Sequence, residues 1–425
     1  MKYVELKDFI SSGNIDETLI KIYCTNDLTD IKQRYLSLLD EAYNLYGDGD
    51  YHFISSPGRS EIGGNHTDHQ HGHVLAASLN IDNLAIVKPN NSKYINYKDR
   101  DFGVKQIDIE DLELKKEEYN TSQSLIKGIA FRLKQLGYQI GGFDGLCDSK
   151  VLVGSGISSS ACFEVLICEI FNSLFNEDKI SAIERAIVSQ YAENVYFGKP
   201  SGLMDQMSIS VGGFVAINFK DPDNPIIENY DFSFSDYDYE LLLIDTKGDH
   251  SDLSDEYAAI TQEIKMVANG LGVEYLADSN KDTLLNNFSK LRNEIKNDRA
   301  LLRAIHFYNE DDRAIKQKKA IQNKDIDSLL SLMNDSAKSS FEYLQNIHST
   351  NNVASQSLAI GLALADTYLK GDGVARVHGG GFEGTIQVIV KKQDLSGLQS
   401  LMKANFGDDC LLEVKIRPVG TITVI

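Results

Sequence analysis

Val151-Leu152-Val153-Gly154-Ser155-Gly156-Ile157-Ser158-Ser159-Ser160-Ala161 is the stretch on which the reading of this 425-residue chain turns. Its apolar start reads as the end of a strand, and the pattern from about Ala161 to Phe175 reads as a helix. Between them, glycines let the backbone turn tightly and approach a ligand, because no Cβ stands in the way. The helix start offers unpaired N–H groups and the positive end of its dipole to an anion. The serine hydroxyls add groups suited to phosphate oxygens or a magnesium ion. No Gly-Lys-Ser/Thr follows, so this is not a Walker A loop. A serine-capped helix after a tight turn has the same local pattern, and the loop alone leaves both readings open.

Upstream of the loop, residues 1 to about 50 read as mostly helical, with helical spacing over Ile31–Asp40. Short strand-like runs follow at 51–55, 74–86 and 94–97, then a helix over Ser122–Leu136. Downstream lie a helix over 181–196, strands at 213–219 and 239–245, and a helix-rich stretch from Asp255 to Asn334. The last part reads as a helix (355–368), a Gly-rich turn, a strand (385–390), a helix (395–406) and a final strand near 412–416. Strands and helices mix without strict alternation, which predicts an α+β fold and not a doubly wound sheet. The length implies two domains. Asp221-Pro222-Asp223-Asn224-Pro225 breaks the pattern, so the division is expected near 220–235, giving units 1–225 and 226–425.

The formal net charge of -20 repels polyanions, so neither nucleic acid nor an anionic membrane is an expected partner. No apolar run reaches membrane-spanning length, since Cys168 and Glu169 already interrupt Val165–Phe171. The start, Met1-Lys2-Tyr3-Val4-Glu5, lacks a secretory pattern, and a cytoplasmic protein is expected. Five cysteines with no CxxC pair suggest neither a disulfide framework nor a zinc knuckle.

Two further clusters carry chemistry. Ser56-Pro57-Gly58-Arg59-Ser60-Glu61-Ile62-Gly63-Gly64-Asn65-His66-Thr67-Asp68-His69 combines a turn with many polar groups, and Arg59 taken alone reads as a solvated turn arginine. Lys199-Pro200-Ser201-Gly202-Leu203-Met204-Asp205-Gln206-Met207 sets an acid among apolar residues, in a turn after a helix. A carboxylate buried there must be paired or functional, because burying it alone is costly. An N-cap or turn aspartate also fits Asp205. Glu193 shares a helix stripe with Ala182, Ala186 and Ser189, small residues that let something approach that face; a solvated glutamate fits equally.

Taken together and in order, these segments resemble the signature motifs of the galactokinases, within the GHMP kinase superfamily. Pro57-Gly58-Arg59…Gly64-Asn65-His66-Thr67-Asp68 is similar to the family's sugar-binding motif, and residues 154–161 to its ATP loop. Gly373-Val374-Ala375-Arg376-Val377-His378-Gly379-Gly380-Gly381-Phe382-Glu383-Gly384 is similar to its C-terminal Gly-rich motif. Ser201-Gly202-Leu203-Met204-Asp205-Gln206 looks like the segment holding the catalytic aspartate.

The resemblance implies a two-domain fold, with an N-terminal domain like ribosomal protein S5 domain 2, a ferredoxin-like C-terminal domain and the site between them. It implies ATP and Mg2+, a small sugar as acceptor, and transfer of the terminal phosphoryl group to the anomeric hydroxyl of galactose. Asp205 is then the catalytic aspartate, with Arg59 beside it compensating phosphoryl charge. Gly154, Ser155, Gly156, Ile157, Ser158, Ser159 and Ser160 wrap the triphosphate, and Ser160 and Glu193 hold magnesium. Asn65, His66, Thr67 and Asp68 face the sugar, as does Tyr257 in His250…Leu253…Tyr257. Phosphoryl transfer asks mainly for position and for compensation of spread negative charge, needs these groups meet despite the acidic surface.

The sequence departs from the family pattern in several places. Asn65 stands where the family usually has Glu, which contacts the sugar's primary hydroxyl at C6. Asp68-His69-Gln70 replaces Asp-Tyr-Asn, as in a plant-type galacturonate kinase. A C6-modified sugar such as galacturonate is therefore an alternative, with galactose the default. Leu152 replaces a common proline, His378 and Glu383 replace smaller neutral residues, and the basic residues that usually follow the tyrosine are missing after Tyr257.

Two other classes compete. Four histidines and an aspartate in His66-Thr67-Asp68-His69-Gln70-His71-Gly72-His73 suggest a zinc hydrolase, although ligands so close in sequence mostly point apart and no second His/Cys cluster completes a site. A non-catalytic sugar sensor is the other, against which stand the retained Ser160-Ala161 and Asp205.

Overall fold

The computed structural model describes residues 1–100, 104–151, 156–199, 201–222, 224–248, 254–382 and 384–425. Its helices are α1 (Tyr3–Ser11), α2 (Asp16–Tyr23), α3 (Thr29–Tyr46), α4 (Ser122–Gln135), α5 (Ser159–Phe175), α6 (Ala182–Tyr191), α7 (Met204–Val211), α8 (Ser254–Gly270), α9 (Lys281–Asn286), α10 (Phe288–Ile295), α11 (Asp298–Gln322), α12 (Ile326–Ser339), α13 (Ser357–Leu369) and α14 (Leu395–Phe406). The strands are β1 (His52–Gly63), β2 (His73–Pro89), β3 (Tyr94–Asp99), β4 (Val104–Asp108), β5 (Phe143–Ser149), β6 (Phe214–Asn218), β7 (Ile226–Tyr230), β8 (Tyr239–Asp245), β9 (Gly373–Val377), β10 (Thr385–Lys391), β11 (Leu411–Val414) and β12 (Ile422–Thr423).

Two sheets organise the chain, and the fold is α+β. The larger runs β12-β1-β2-β5-β3-β4, with β6 on the first part of β2 and β7 on β6. Among the described residues, only β3 and β5 pair in parallel. The smaller sheet is β11-β8-β10-β9, wholly antiparallel. β7 is hydrogen-bonded to β6, so the chain stays in the larger sheet through Tyr230, within the stretch 220–235 where the division is expected. It also returns, because Ile422 and Thr423 pair with Ser55 and Ile54.

One apolar core joins the two sheets. Ile62 and Leu75 from the larger sheet, Leu241, Leu243 and Val374 from the smaller, and Leu329 and Met333 from α12 belong to it. A second core lies under α4 and α5, where Ile126, Leu133, Leu166 and Phe171 meet Ile54, Val87 and Phe143. The first 46 residues form a helical cover: Leu6, Ile10, Leu19, Ile22, Tyr35 and Leu38 pack on Phe53, Leu84, Ile86 and Leu146. Arg34 on α3 ties this cover down through Asp82 (2.6 Å) and Asp148 (3.2 Å).

Two elements differ from the sequence reading in ways that matter for the site. Ser56-Pro57-Gly58 looks like a turn, yet β1 continues through it, because a register shift between Pro57 and Arg59 absorbs the irregularity. Arg59 is therefore a buried strand residue and not a solvated turn arginine. The stretch 373–377, read as part of a Gly-rich turn, is strand β9, buried throughout and paired with β10.

Candidate active site

The pair at the centre comes from strand and helix. Arg59 on β1 donates Nε to Asp205 Oδ1 (2.7 Å) and Nη2 to Asp205 Oδ2 (2.9 Å), a two-pronged clasp. Asp205 sits in the first turn of α7, where the helix dipole favours a negative charge. Burial alone would raise its carboxyl, but the charge and hydrogen bonds of Arg59, with the hydroxyl of Ser158, hold it below the usual carboxylate range. About 31% of the Asp205 side chain stays exposed, so a substrate has access to it.

Ser158 has φ 61°, a left-handed conformation uncommon for a residue with a Cβ. It occupies the N-cap of α5 yet makes no side-chain cap; its hydroxyl donates to Asp205 Oδ2 instead. That strain belongs to the site, since a relaxed capping serine would face its own helix. Gly156, also at positive φ (73°), accepts Arg59 Nη1 at its carbonyl. Ile157 points its side chain into the core and contributes only backbone, its carbonyl accepting the Arg59 N–H (3.3 Å). Ser159 opens α5; Gly154 and Ser155 lie outside the described residues, as do Leu152, His250, Leu253 and Glu383.

Glu193 lies where α6 widens into a π-helical turn over Ala192–Phe197. Such turns reorient a side chain without ending the helix. Its buried carboxylate accepts from Ser160 Oγ (3.2 Å), Ser201 Oγ (2.6 Å), Gln206 Nε2 (2.8 Å) and Lys199 Nζ (3.3 Å). Ser160 and Glu193, paired in the sequence reading, are thus neighbours in space. Both offer hard oxygen donors, and neither has a thiolate or imidazole among these partners. That donor set fits magnesium.

A cavity of about 940 Å³ opens over this machinery, lined by Arg59, Lys199 and Asp205 together with His66, Asp68 and Tyr257. The fit is close: a Cβ on Gly202 would fall 1.7 Å from Asp68 Oδ2, and one on Gly380 would fall 2.5 Å from the Tyr257 ring. His66, at φ 59°, has Nε2 3.1 Å from the Gly380 carbonyl. Burial and then the neighbouring His69 push its imidazole down to about 4, so it is neutral at neutral pH. Tyr257 donates its hydroxyl to the Gly381 carbonyl (2.9 Å).

Asn65 and Thr67 do not line the cavity, contrary to the sequence reading. Both are fully buried. Asn65 Nδ2 donates to Glu61 Oε2 (3.0 Å) and the Gly379 carbonyl (2.9 Å), while its Oδ1 accepts from Asn346 (3.1 Å). Thr67 Oγ1 braces its own loop at the carbonyls of Gly64 and His73. In place of Asn65, Glu61 faces the cavity, paired with Arg376 Nη2 (2.8 Å). The sequence did hold a signal for Glu61, because residues two apart on a strand share a face and Arg59 was already assigned. Arg376 and Asn346 lie hundreds of residues away; Arg376 falls within the C-terminal Gly-rich motif without being singled out there, and no local pattern marks Asn346. His306 and Glu310 on α11 also brace the sugar loop, at the Asn65 carbonyl (3.0 Å) and the Gly64 N–H (3.1 Å).

The histidine string divides its tasks. His66, His69 and His71 line the cavity, His71 also stacking on Tyr275 at 3.6 Å, and His73 pairs with Asp311 at 2.9 Å. Among the described residues, no three His, Cys, Asp or Glu side chains group to hold a metal ion.

Comparison with known proteins agrees with this geometry. The GHMP kinases N terminal domain matches residues 124–213, and the galactokinase galactose-binding signature matches residues 43–89. A galactokinase of Clostridium tetani is 27% identical over 377 residues, covering 87% of this chain and 91% of the relative. One of Limosilactobacillus reuteri is 29% identical over 377 residues, covering 85% and 91%. Among solved structures, Lactococcus lactis galactokinase complexed with galactose superposes with a TM-score of 0.79 at 23% identity, over 91% of this chain and 99% of that one. Methanococcus jannaschii mevalonate kinase follows the same fold at a TM-score of 0.62, 14% identity, and 87% and 99% coverage. The galactokinase galactose-binding signature, the GHMP kinases N terminal domain and the paired Arg59–Asp205 fall on one continuous chain in one order, and over most of its length that chain is similar to galactokinases.

Proposed function

We propose that the protein is an ATP-dependent sugar kinase that transfers the γ-phosphoryl group to the anomeric hydroxyl of galactose, giving galactose 1-phosphate. The observation that carries the reading is the position of Asp205. It is ionised, clasped by Arg59 and open to the same cavity as His66, Asp68 and Tyr257.

A carboxylate at that point accepts, or orients, the proton of the attacking hydroxyl. Arg59 bridges the two halves of the task. It holds Asp205 through two donors, and its third contact, to Gly156, faces the phosphate loop, where it compensates charge on the transferring group. Residues 156–160, which run into the first turn of α5, supply amide donors for the triphosphate. Ser160 and Glu193 would hold Mg2+, which neutralises phosphate charge when bound. Partial loss of solvent would lower the Lys199 ammonium, but the charges of Glu193 and Asp205 hold it above its ordinary value, so it stays protonated and adds a cation.

Galactose is favoured over galacturonate on charge. Among the described residues, three carboxylates line the cavity, those of Glu61, Asp68 and Asp205. Asn65, which would have tolerated a C6 carboxylate, is committed elsewhere. A uronate would meet repulsion that a neutral hexose avoids. No helix among the described residues is long and apolar enough to cross a membrane.

Incubation with ATP, Mg2+ and a panel of hexoses and uronic acids, read by phosphorus NMR, tests the reading. Galactose 1-phosphate is the expected product. A preference for galacturonate, or no sugar phosphate from any member of the panel, overturns it.

A further inference from the structure

Glu164 lies one helical turn beyond Ser160 on α5 and is fully buried. Its Oε2 accepts from Gln206 Nε2 at 3.0 Å, while its Oε1 has no partner. The same Gln206 nitrogen donates at 2.8 Å to Glu193 Oε2. One amide group therefore joins two buried carboxyl groups, and it belongs to the residue next to Asp205 in the first turn of α7. An amide nitrogen has two hydrogens fixed in one plane. Satisfying Glu164 with one of them sets the plane in which the other meets Glu193. The opposite oxygen, Glu193 Oε1, is then left toward Ser160 and Lys199.

From this geometry we infer that Glu164 is a positioning residue: through Gln206 it fixes the carboxylate of Glu193 in the orientation that serves the metal-bearing phosphate site. The inference rests on the proposed role of Ser160 and Glu193. It explains why a costly polar group is kept in an apolar helix face, flanked by Val165 and Ile167, where a methionine or leucine would pack without that cost. It also explains why Gln206, and not an apolar residue, is buried beside Asp205. Neither Glu164 nor Gln206 lines the cavity, so each acts only through Glu193 and the helix it shares.

Glu164→Gln, Glu164→Leu, Gln206→Met and Glu193→Ala, each in the full chain, test the inference. Three quantities are read: turnover, sugar KM, and Mn2+ binding with a non-hydrolysable ATP analogue followed by electron paramagnetic resonance. Groups that orient a metal ligand typically cost about 10–100-fold in metal affinity or activity when removed. Glu164→Leu should weaken Mn2+ binding and turnover within that range and leave sugar KM within about twofold, while Glu164→Gln, which keeps the acceptor and the shape, should restore both to within about threefold. If Glu164→Leu does not fold, Gln206→Met carries the same expectation from the other side of the bridge. A folded Glu164→Leu or Gln206→Met with unchanged Mn2+ affinity overturns the inference, as does a Glu164→Gln protein as impaired as Glu164→Leu. Unchanged Mn2+ affinity in Glu193→Ala would instead refute the metal assignment itself, so the two failures are distinguishable.

Discussion

The two ends of the cavity are built on opposite principles. Under the sugar, Glu61, Asn65, Asn346 and Arg376 bond to one another across the two sheets and are all buried. At the phosphate end, Asp205 and Lys199 keep 31% and 60% of their side chains exposed, and their partners are groups of the same reaction. The floor is finished before any ligand arrives. The other end is a set of charges that hold one another in place, some of whose partners the proposed triphosphate and cation would take over. A sugar kinase gains from this division: a rigid floor selects the acceptor, and exchangeable ion pairs admit a nucleotide whose charge changes during turnover.

Substitutions at the two ends should fail in different ways. The largest effect is expected from Asp205→Asn, a loss of about 10³–10⁴-fold in turnover with sugar binding still measurable by calorimetry. Wild-type-like turnover would show that the base is misassigned. Next comes Arg376→Met, which leaves Glu61 buried without its partner and should cost about 3–5 kcal/mol of stability in denaturant titration. Burial already raises the Glu61 carboxyl against the pull of Arg376, so removing the arginine should raise it further. If melting is unchanged, the floor is not a stabilising joint.

Arg59→Ala should lower kcat about 10²-fold, with a smaller change in sugar affinity. Arg59 also depresses Asp205, so without it the carboxylate protonates at higher pH, and the acid limb of the kcat/KM profile should move upward. A limb that stays in place would mean another group sets it. The smallest of the four is Gly202→Ala, whose new methyl would displace the Asp68 carboxylate. It should raise sugar KM about tenfold, leave the nucleotide KM alone and barely change stability.

Much of the site was legible because its parts are contiguous strings. Arg59, residues 154–160, Glu193 and Asp205 each carry a residue type that phosphate chemistry demands, and the fold brings the described ones together as expected. What could not be read was direction. Asn65 stands where a sugar contact is expected, yet its amide turns inward because Glu61, four residues back, and Gly379 and Asn346, from distant stretches, satisfy it. Strand β1 was hidden for a similar reason. Pro57 and Gly58 look like a turn locally, and only pairing with β2 over both sides of the bulge keeps them extended. The α+β character was plain from the order of elements, but the return of the chain to the larger sheet is made by Ile422 and Thr423, a strand of two residues too short to show a pattern of its own.

That return has a consequence for biosynthesis. The strand that completes one margin of the larger sheet is translated about 370 residues after the strand it pairs with, since Thr423 meets Ile54. A ribosome-bound nascent chain therefore carries β1 with a bare edge through most of its synthesis, a surface on which chaperones act and aggregation begins. Shortening the chain before Ile422 should leave that edge open for good, with insoluble expression as the outcome.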